Sequence, residues 1–156
     1  NMPEDDGMIS IVHGDYRLYN MIFSSSENKI LAVLDWELST IGHPYADLAY
    51  QCMNWHIPKI GITPGLYGLD LDGTGIPTEN EYVEAYCQKM RIDNIPNWSF
   101  YLAFGFFRLA GIAQGVYKRS IMGNASADNA KELGAAVPLL GQIALSIIKR
   151  GNEIAL

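Results

Sequence analysis

The stretch His13-Gly14-Asp15-Tyr16-Arg17-Leu18-Tyr19-Asn20 decides the reading of this 156-residue chain. Asp15 is followed by four residues and then Asn20, so a carboxylate and a carboxamide share one short loop. Further on, Asp35 closes the apolar run Ile30-Leu31-Ala32-Val33-Leu34. Between them Ser24-Ser25-Ser26-Glu27-Asn28 is a polar turn cluster. Residues 21–24 and 29–34 therefore read as a hairpin that returns Asp35 to the end where Asn20 lies. Phosphoryl transfer needs an acceptor for the attacking group's proton beside a metal that neutralises phosphate oxygens, and one loop with one hairpin supplies both. Carboxylate plus amide oxygen, completed by phosphates and water, suits Mg²⁺.

Composition narrows the classes around that loop. Hydrophobic residues make up 49% and charged residues 18%, which is a foldable chain and not a disordered tail. Eleven Lys and Arg against 17 Asp and Glu give a net charge of −6, which argues against broad nucleic-acid or anionic-membrane binding. Cys52 and Cys87 match no metal spacing and form no disulfide framework. They read as core thiols of a reducing, cytoplasmic compartment. Residues 1–8 are acidic where a secretory signal is basic. The apolar stretch Trp98–Tyr117 carries Arg108 and Gln114 and reads as a buried helix, not a membrane span.

The chain changes character once. Residues 9–35 read as strands (SIVH, NMIF, KILAVLD), and residues after about 44 as helices. Tyr45–Trp55 places Leu48, Ala49, Cys52 and Met53 on one face. Residues 57–78 form a long Gly- and Pro-rich loop. Thr78 and Glu81 make a capping box that starts a helix over 79–91. A mostly buried helix follows from Trp98 to Arg119, broken at Gly123-Asn124. The last helical region begins near Ser126, and Pro138 should kink or split it. Trp36, Trp55 and Trp98 read as core or pocket-wall residues, the run Phe100, Tyr101, Phe104, Phe106, Phe107 as helical core, and Glu4-Asp5-Asp6 as a solvated linker end.

HGDYRLYN and the later run VLDWELSTIGHPYADLAY together resemble the aminoglycoside phosphotransferase and choline kinase family, whose fold is protein-kinase-like. Within it, LAVLDWELSTIGHPYADLAY and GVYKRSIMGNAS look most like the phosphotransferase-like portion of acyl-CoA dehydrogenase family members 10 and 11 and their bacterial relatives. The resemblance implies an α+β, mostly α architecture. Residues 1–156 would form the C-terminal lobe alone, with the catalytic loop and metal-binding hairpin in 9–43 and a helical subdomain in 44–156. The N-terminal lobe, with its phosphate-covering loop and strand lysine, is expected to lie outside this chain.

Carried over residue by residue, the resemblance makes Asp15 the catalytic base and places Arg17 near the transferred phosphoryl group. Asn20 and Asp35 become the Mg²⁺ and nucleotide ligands. His13 would brace the loop, Glu37 would support the metal site from behind, and Asp47 would be a buried acid accepting backbone hydrogen bonds from the catalytic loop. Tyr19 departs from the subgroup, which often has Asp there. The implied activity is ATP- and Mg²⁺-dependent phosphorylation of a small molecule's hydroxyl, of hydroxyacyl-CoA type; the oligomeric state is left open. Two other readings stand beside it: a non-catalytic kinase-like binding module, and a metal-dependent phosphohydrolase using His13, Asp15 and Asp35. The second usually needs a two-metal ligand cluster, and the chain has three histidines in all.

Overall fold

A computed structural model describes residues 2–59, 65–123 and 130–151. The order is strands first and helices after, as the residue patterning requires. Strand β1 (Ser10–Val12) pairs antiparallel with β4 (Thr40–Gly42), and β2 (Met21–Phe23) with β3 (Ile30–Val33). These are two separate two-stranded sheets. The β2–β3 hairpin closes over the serine-rich turn, where the Ser24 hydroxyl accepts the backbone N–H groups of Ser26 and Glu27. Strand β4 is absent from the sequence reading, because Thr40–Gly42 is too short to show a period and its partner lies about thirty residues upstream.

Short 3-10 turns cover Leu18–Asn20 and Trp36–Leu38. The first joins the His13–Arg17 stretch to β2, and the second carries the chain from β3 to β4. Both loops of interest therefore leave the same two ribbons.

Helix α1 (Tyr45–Cys52) continues through a 3-10 turn at Met53–Trp55. Its Tyr45, Leu48, Ala49 and Cys52 face the core, the spacing of one helical stripe. Helix α2 (Glu79–Met90) starts on the capping box: the Thr78 hydroxyl accepts from the Glu81 N–H, and the Glu81 carboxylate accepts from the Thr78 N–H. Helix α3 (Trp98–Ile121) supplies the centre of the core with Trp98, Leu102 and the fully buried Phe106. Burying a side chain of that size contributes roughly 1.5–3 kcal/mol. Helix α4 (Ala130–Arg150) packs along α3. The close approach needs Gly134, since a Cβ there would stand 2.5 Å from Cγ of Tyr117.

Several expectations need correction. Helix α4 runs through Pro138 as one element and is not split; proline removes one backbone hydrogen bond, and packing on α3 carries the helix past it. The expected onset near Ser126 and Asn124 of the break lie outside the described residues. Helix α3 is not mostly buried, and Phe104 and Phe107 are 48% and 72% exposed. The aromatic run 100–107 is apolar on every side and shows no sequence period to say which side lacks a neighbour, and α1 and α4 cover only part of α3. By length and composition alone, α3 and α4 each contain an 18-residue stretch apolar enough to cross a membrane.

Trp98 is core, but Trp36 is half exposed, its indole N–H donating to the Val33 carbonyl. Asp6 is not merely solvated. It caps the Met8 N–H and pairs with His43 at 3.2 Å, contacts that hold its carboxyl below the usual range. Cys52 and Cys87 are buried free thiols, and desolvation pushes both thiol pKa values up.

Candidate functional site

The His13–Asn20 stretch is held from three sides. Asp47, in the first turn of α1, grips its backbone: Oδ2 accepts the His13 N–H at 2.6 Å and Oδ1 the Gly14 N–H at 2.9 Å. Asp47 is half-buried and not fully buried, since it sits at a helix start beside the loop. His13 is 2% exposed and ties the loop to the hairpin. Its Nδ1 accepts the Asp15 N–H at 3.2 Å, and its Nε2 lies 2.7 Å from the Leu34 carbonyl. A carbonyl only accepts, so the partners select the neutral tautomer with the proton on Nε2. Trp36 packs on the ring with centroids 4.7 Å apart.

Gly14 is the point where the loop turns. Its φ is +86°, and a Cβ there would stand 2.6 Å from the Leu38 carbonyl oxygen. Only glycine fits a left-handed backbone pressed against another backbone.

Asn20 is buried, and its amide nitrogen is committed twice, donating to the Asp15 carbonyl at 2.8 Å and to Asp15 Oδ2 at 3.0 Å. That fixes which end of the amide is free: Oδ1 makes no hydrogen bond among the described residues. The Asn20 carbonyl accepts the Leu34 N–H at 2.8 Å, so the hairpin ladder reaches the residue before Asp35. Asp35 itself is exposed, in left-handed backbone with φ 67° and ψ 50°. Its carboxylate has no hydrogen bond or ion pair among the described residues. The structure thus brings Asn20 and Asp35 to one end of one hairpin, with two oxygen donors uncommitted. Hard oxygen ligands of this kind fit Mg²⁺.

Arg17 Nε lies 3.1 Å from Asp15 Oδ2, and the guanidinium is half exposed at the rim. Glu37 is exposed in the 3-10 turn after Asp35 and forms no hydrogen bond or ion pair among the described residues. Among those residues no three His, Cys, Asp or Glu side chains gather as a metal cluster, so the phosphohydrolase reading finds no ligand set there.

Two contacts were missed in the sequence. The Tyr50 hydroxyl, on α1, donates to Asp15 Oδ1 at 2.9 Å. Arg108, on α3, donates to the Gly14 carbonyl and lies over the Tyr50 ring, 5.5 Å from its centroid. Burial and the neighbouring Asp15 charge push the Tyr50 phenol up to about 12.

A carboxylate braced on a glycine turn, an oriented amide oxygen and a second carboxylate at one hairpin end are the parts of a kinase-like phosphotransferase lobe. The comparisons agree: the profile of the phosphotransferase enzyme family matches residues 1–78, and the chain belongs to that family. It is 45% identical to a protein of known crystal structure from Ralstonia eutropha JMP134, described as a putative aminoglycoside phosphotransferase, with a TM-score of 0.85 over 92% of this chain and 44% of that one. It is 48% identical over 136 residues to mouse acyl-CoA dehydrogenase family member 10, covering 86% of this chain and 13% of the relative. Against human acyl-CoA dehydrogenase family member 11 it is 41% identical over 153 residues, 96% of this chain and 19% of the relative. The chain therefore spans a fifth or less of these curated relatives.

Proposed function

We propose that this chain carries the catalytic centre of an ATP-dependent phosphotransferase acting on the hydroxyl of a small molecule. The observation that supports it most is the convergence of Asp15, Asn20 and Asp35 on one rim, with Asp15 fixed by its neighbours and the two other oxygens uncommitted. Asp15 takes the proton of the attacking hydroxyl as that oxygen bonds to the γ-phosphorus and the bond to the β–γ bridging oxygen breaks, releasing ADP. Asn20 Oδ1 and the Asp35 carboxylate would hold Mg²⁺, which when bound neutralises phosphate charge. Arg17, half exposed beside Asp15, would meet the transferred phosphoryl group. The rest of the catalytic effect is positioning.

For the acceptor, the reading is a hydroxylated acyl thioester of the hydroxyacyl-CoA type. Likeness to proteins named as acyl-CoA dehydrogenase family members supports it. The test is ATP consumption by the full-length natural chain with a panel of hydroxylated acyl-CoA esters. Asp15→Asn keeps the shape and removes the proton acceptor, and should lower turnover by about 10²–10⁴-fold with little change in Mg²⁺–ATP affinity. Asp35→Asn should weaken Mg²⁺–ATP binding as well. Wild-type turnover in Asp15→Asn would end the base assignment.

A further inference from the structure

An ionised carboxylate offers about four lone-pair positions, two on each oxygen. In Asp15 each oxygen accepts one hydrogen bond, Oδ2 from Asn20 Nδ2 at 3.0 Å and Oδ1 from the Tyr50 hydroxyl at 2.9 Å. Oδ2 also faces the Arg17 guanidinium in an ion pair, with Nε at 3.1 Å. The open position that no cation faces is therefore on Oδ1. Resting on the reading of Asp15 as the base, we propose that Oδ1 is the atom that takes the substrate proton, and that Tyr50 is the positioning residue that aims it, with Arg108 holding Tyr50 in place.

The geometry gives each part a reason. A terminal carboxylate torsion is soft, so one donor pair on Oδ2 leaves the plane free to swing about that oxygen. A second fixed point on the other oxygen removes the swing. Tyr50 can serve as that point because it comes from α1, the helix whose Asp47 already grips the loop backbone. The phenol keeps its proton through the neutral range, since burial and Asp15 both raise its pKa, so it acts only as a donor to the carboxylate. Arg108 closes the arrangement from α3. Its guanidinium lies over the Tyr50 ring and donates to the Gly14 carbonyl, so loop and ring are set by one side chain. The proton acceptor is thereby oriented by α1 and α3, elements that carry none of the other proposed site residues except Asp47.

The experiment is Tyr50→Phe in the full-length natural chain, which deletes one oxygen and keeps the ring under Arg108. A crystal structure of the variant is read first and needs no acceptor: the Asp15 carboxylate plane should turn about Oδ2, carrying Oδ1 out of its wild-type position while the Asn20 Nδ2–Oδ2 contact is kept. With Mg²⁺–ATP and hydroxylated acyl-CoA esters, kcat should fall about 10- to 100-fold with KM for Mg²⁺–ATP unchanged, a fraction of the worth of the base itself. In an Asp15→Asn background the same change should have no further effect on residual turnover, because Tyr50 acts only through that carboxylate. Arg108→Met should lower kcat in the same direction, and Arg108→Lys should recover only part, since lysine has a point charge where a planar fork is used. An unmoved carboxylate in Tyr50→Phe, or kcat within twofold of wild type, overturns the proposal. Full turnover in Asp15→Asn alone overturns the base reading instead, so the two failures are told apart.

Discussion

Replacing Asp47 with Ala tests how the loop that carries the proposed base is held. Two backbone N–H groups lose their acceptor, His13 N–H at 2.6 Å and Gly14 N–H at 2.9 Å, both from buried residues. Each unpaired buried donor costs about 1–3 kcal/mol. Asp47 is itself half-buried, so water can reach part of the vacated space and the two costs will not add in full. A local destabilisation of roughly 2–4 kcal/mol follows. At about 1.4 kcal/mol per tenfold change, that is roughly 30- to 900-fold faster amide exchange in the loop. The measurement is hydrogen–deuterium exchange of a peptide covering His13 to Asp15 in the full-length natural chain, with α4 as the internal reference. Asp47→Asn keeps one acceptor oxygen and should fall between wild type and Ala. Exchange within about threefold of wild type in Asp47→Ala would mean that the loop is held by His13 and Arg108 alone, and the argument from paired acceptors would fail.

Gly14→Ala places a Cβ against the Leu38 carbonyl in a left-handed backbone, and should destabilise by roughly 2–4 kcal/mol, about half from the backbone and half from overpacking; an unchanged denaturation midpoint would count against it. Glu81 accepts from both the N–H and the hydroxyl of Thr78, which holds its carboxyl below the ordinary 4.5. A carboxyl lowered on folding stabilises above its unfolded value and loses that contribution as pH falls through the folded one. Wild type should therefore exceed Glu81→Gln in thermal stability near neutral pH, and the gap should close as pH falls from the ordinary carboxylate value through the lowered folded one; a gap that is constant with pH would contradict the capping role.

What could be read in the residues was local. Asp15 and Asn20 lie on one loop, and the serine-rich turn needs only its own neighbours to fold Asp35 back. Thr78 with Glu81 marks a helix start through side-chain and backbone chemistry within a turn of chain. The misses are of the opposite kind. The pairing of Val12 with Thr40 joins two three-residue segments, and nothing short-range marks either as a partner. Phe104 and Phe107 are exposed because of where α1 and α4 end laterally, which an apolar pattern on all sides does not encode.

Tyr50 and Arg108 reach Asp15 and Gly14 across 35 and 94 positions of sequence, so no spacing rule finds them. One signal was nevertheless present. Arg108 is the one charged residue in the first twenty positions of α3, between Phe107 and Leu109. A guanidinium is rarely drawn into such surroundings unless it is paired, because leaving water without new partners is costly. Its partners are a backbone carbonyl and an aromatic face, and neither identifies itself in a sequence. The inference available from sequence was thus that Arg108 must meet something polar; the fold shows that it meets the turn that carries the proposed base. Removing the charge should accordingly disturb Asp15 more than it disturbs the helix that bears Arg108.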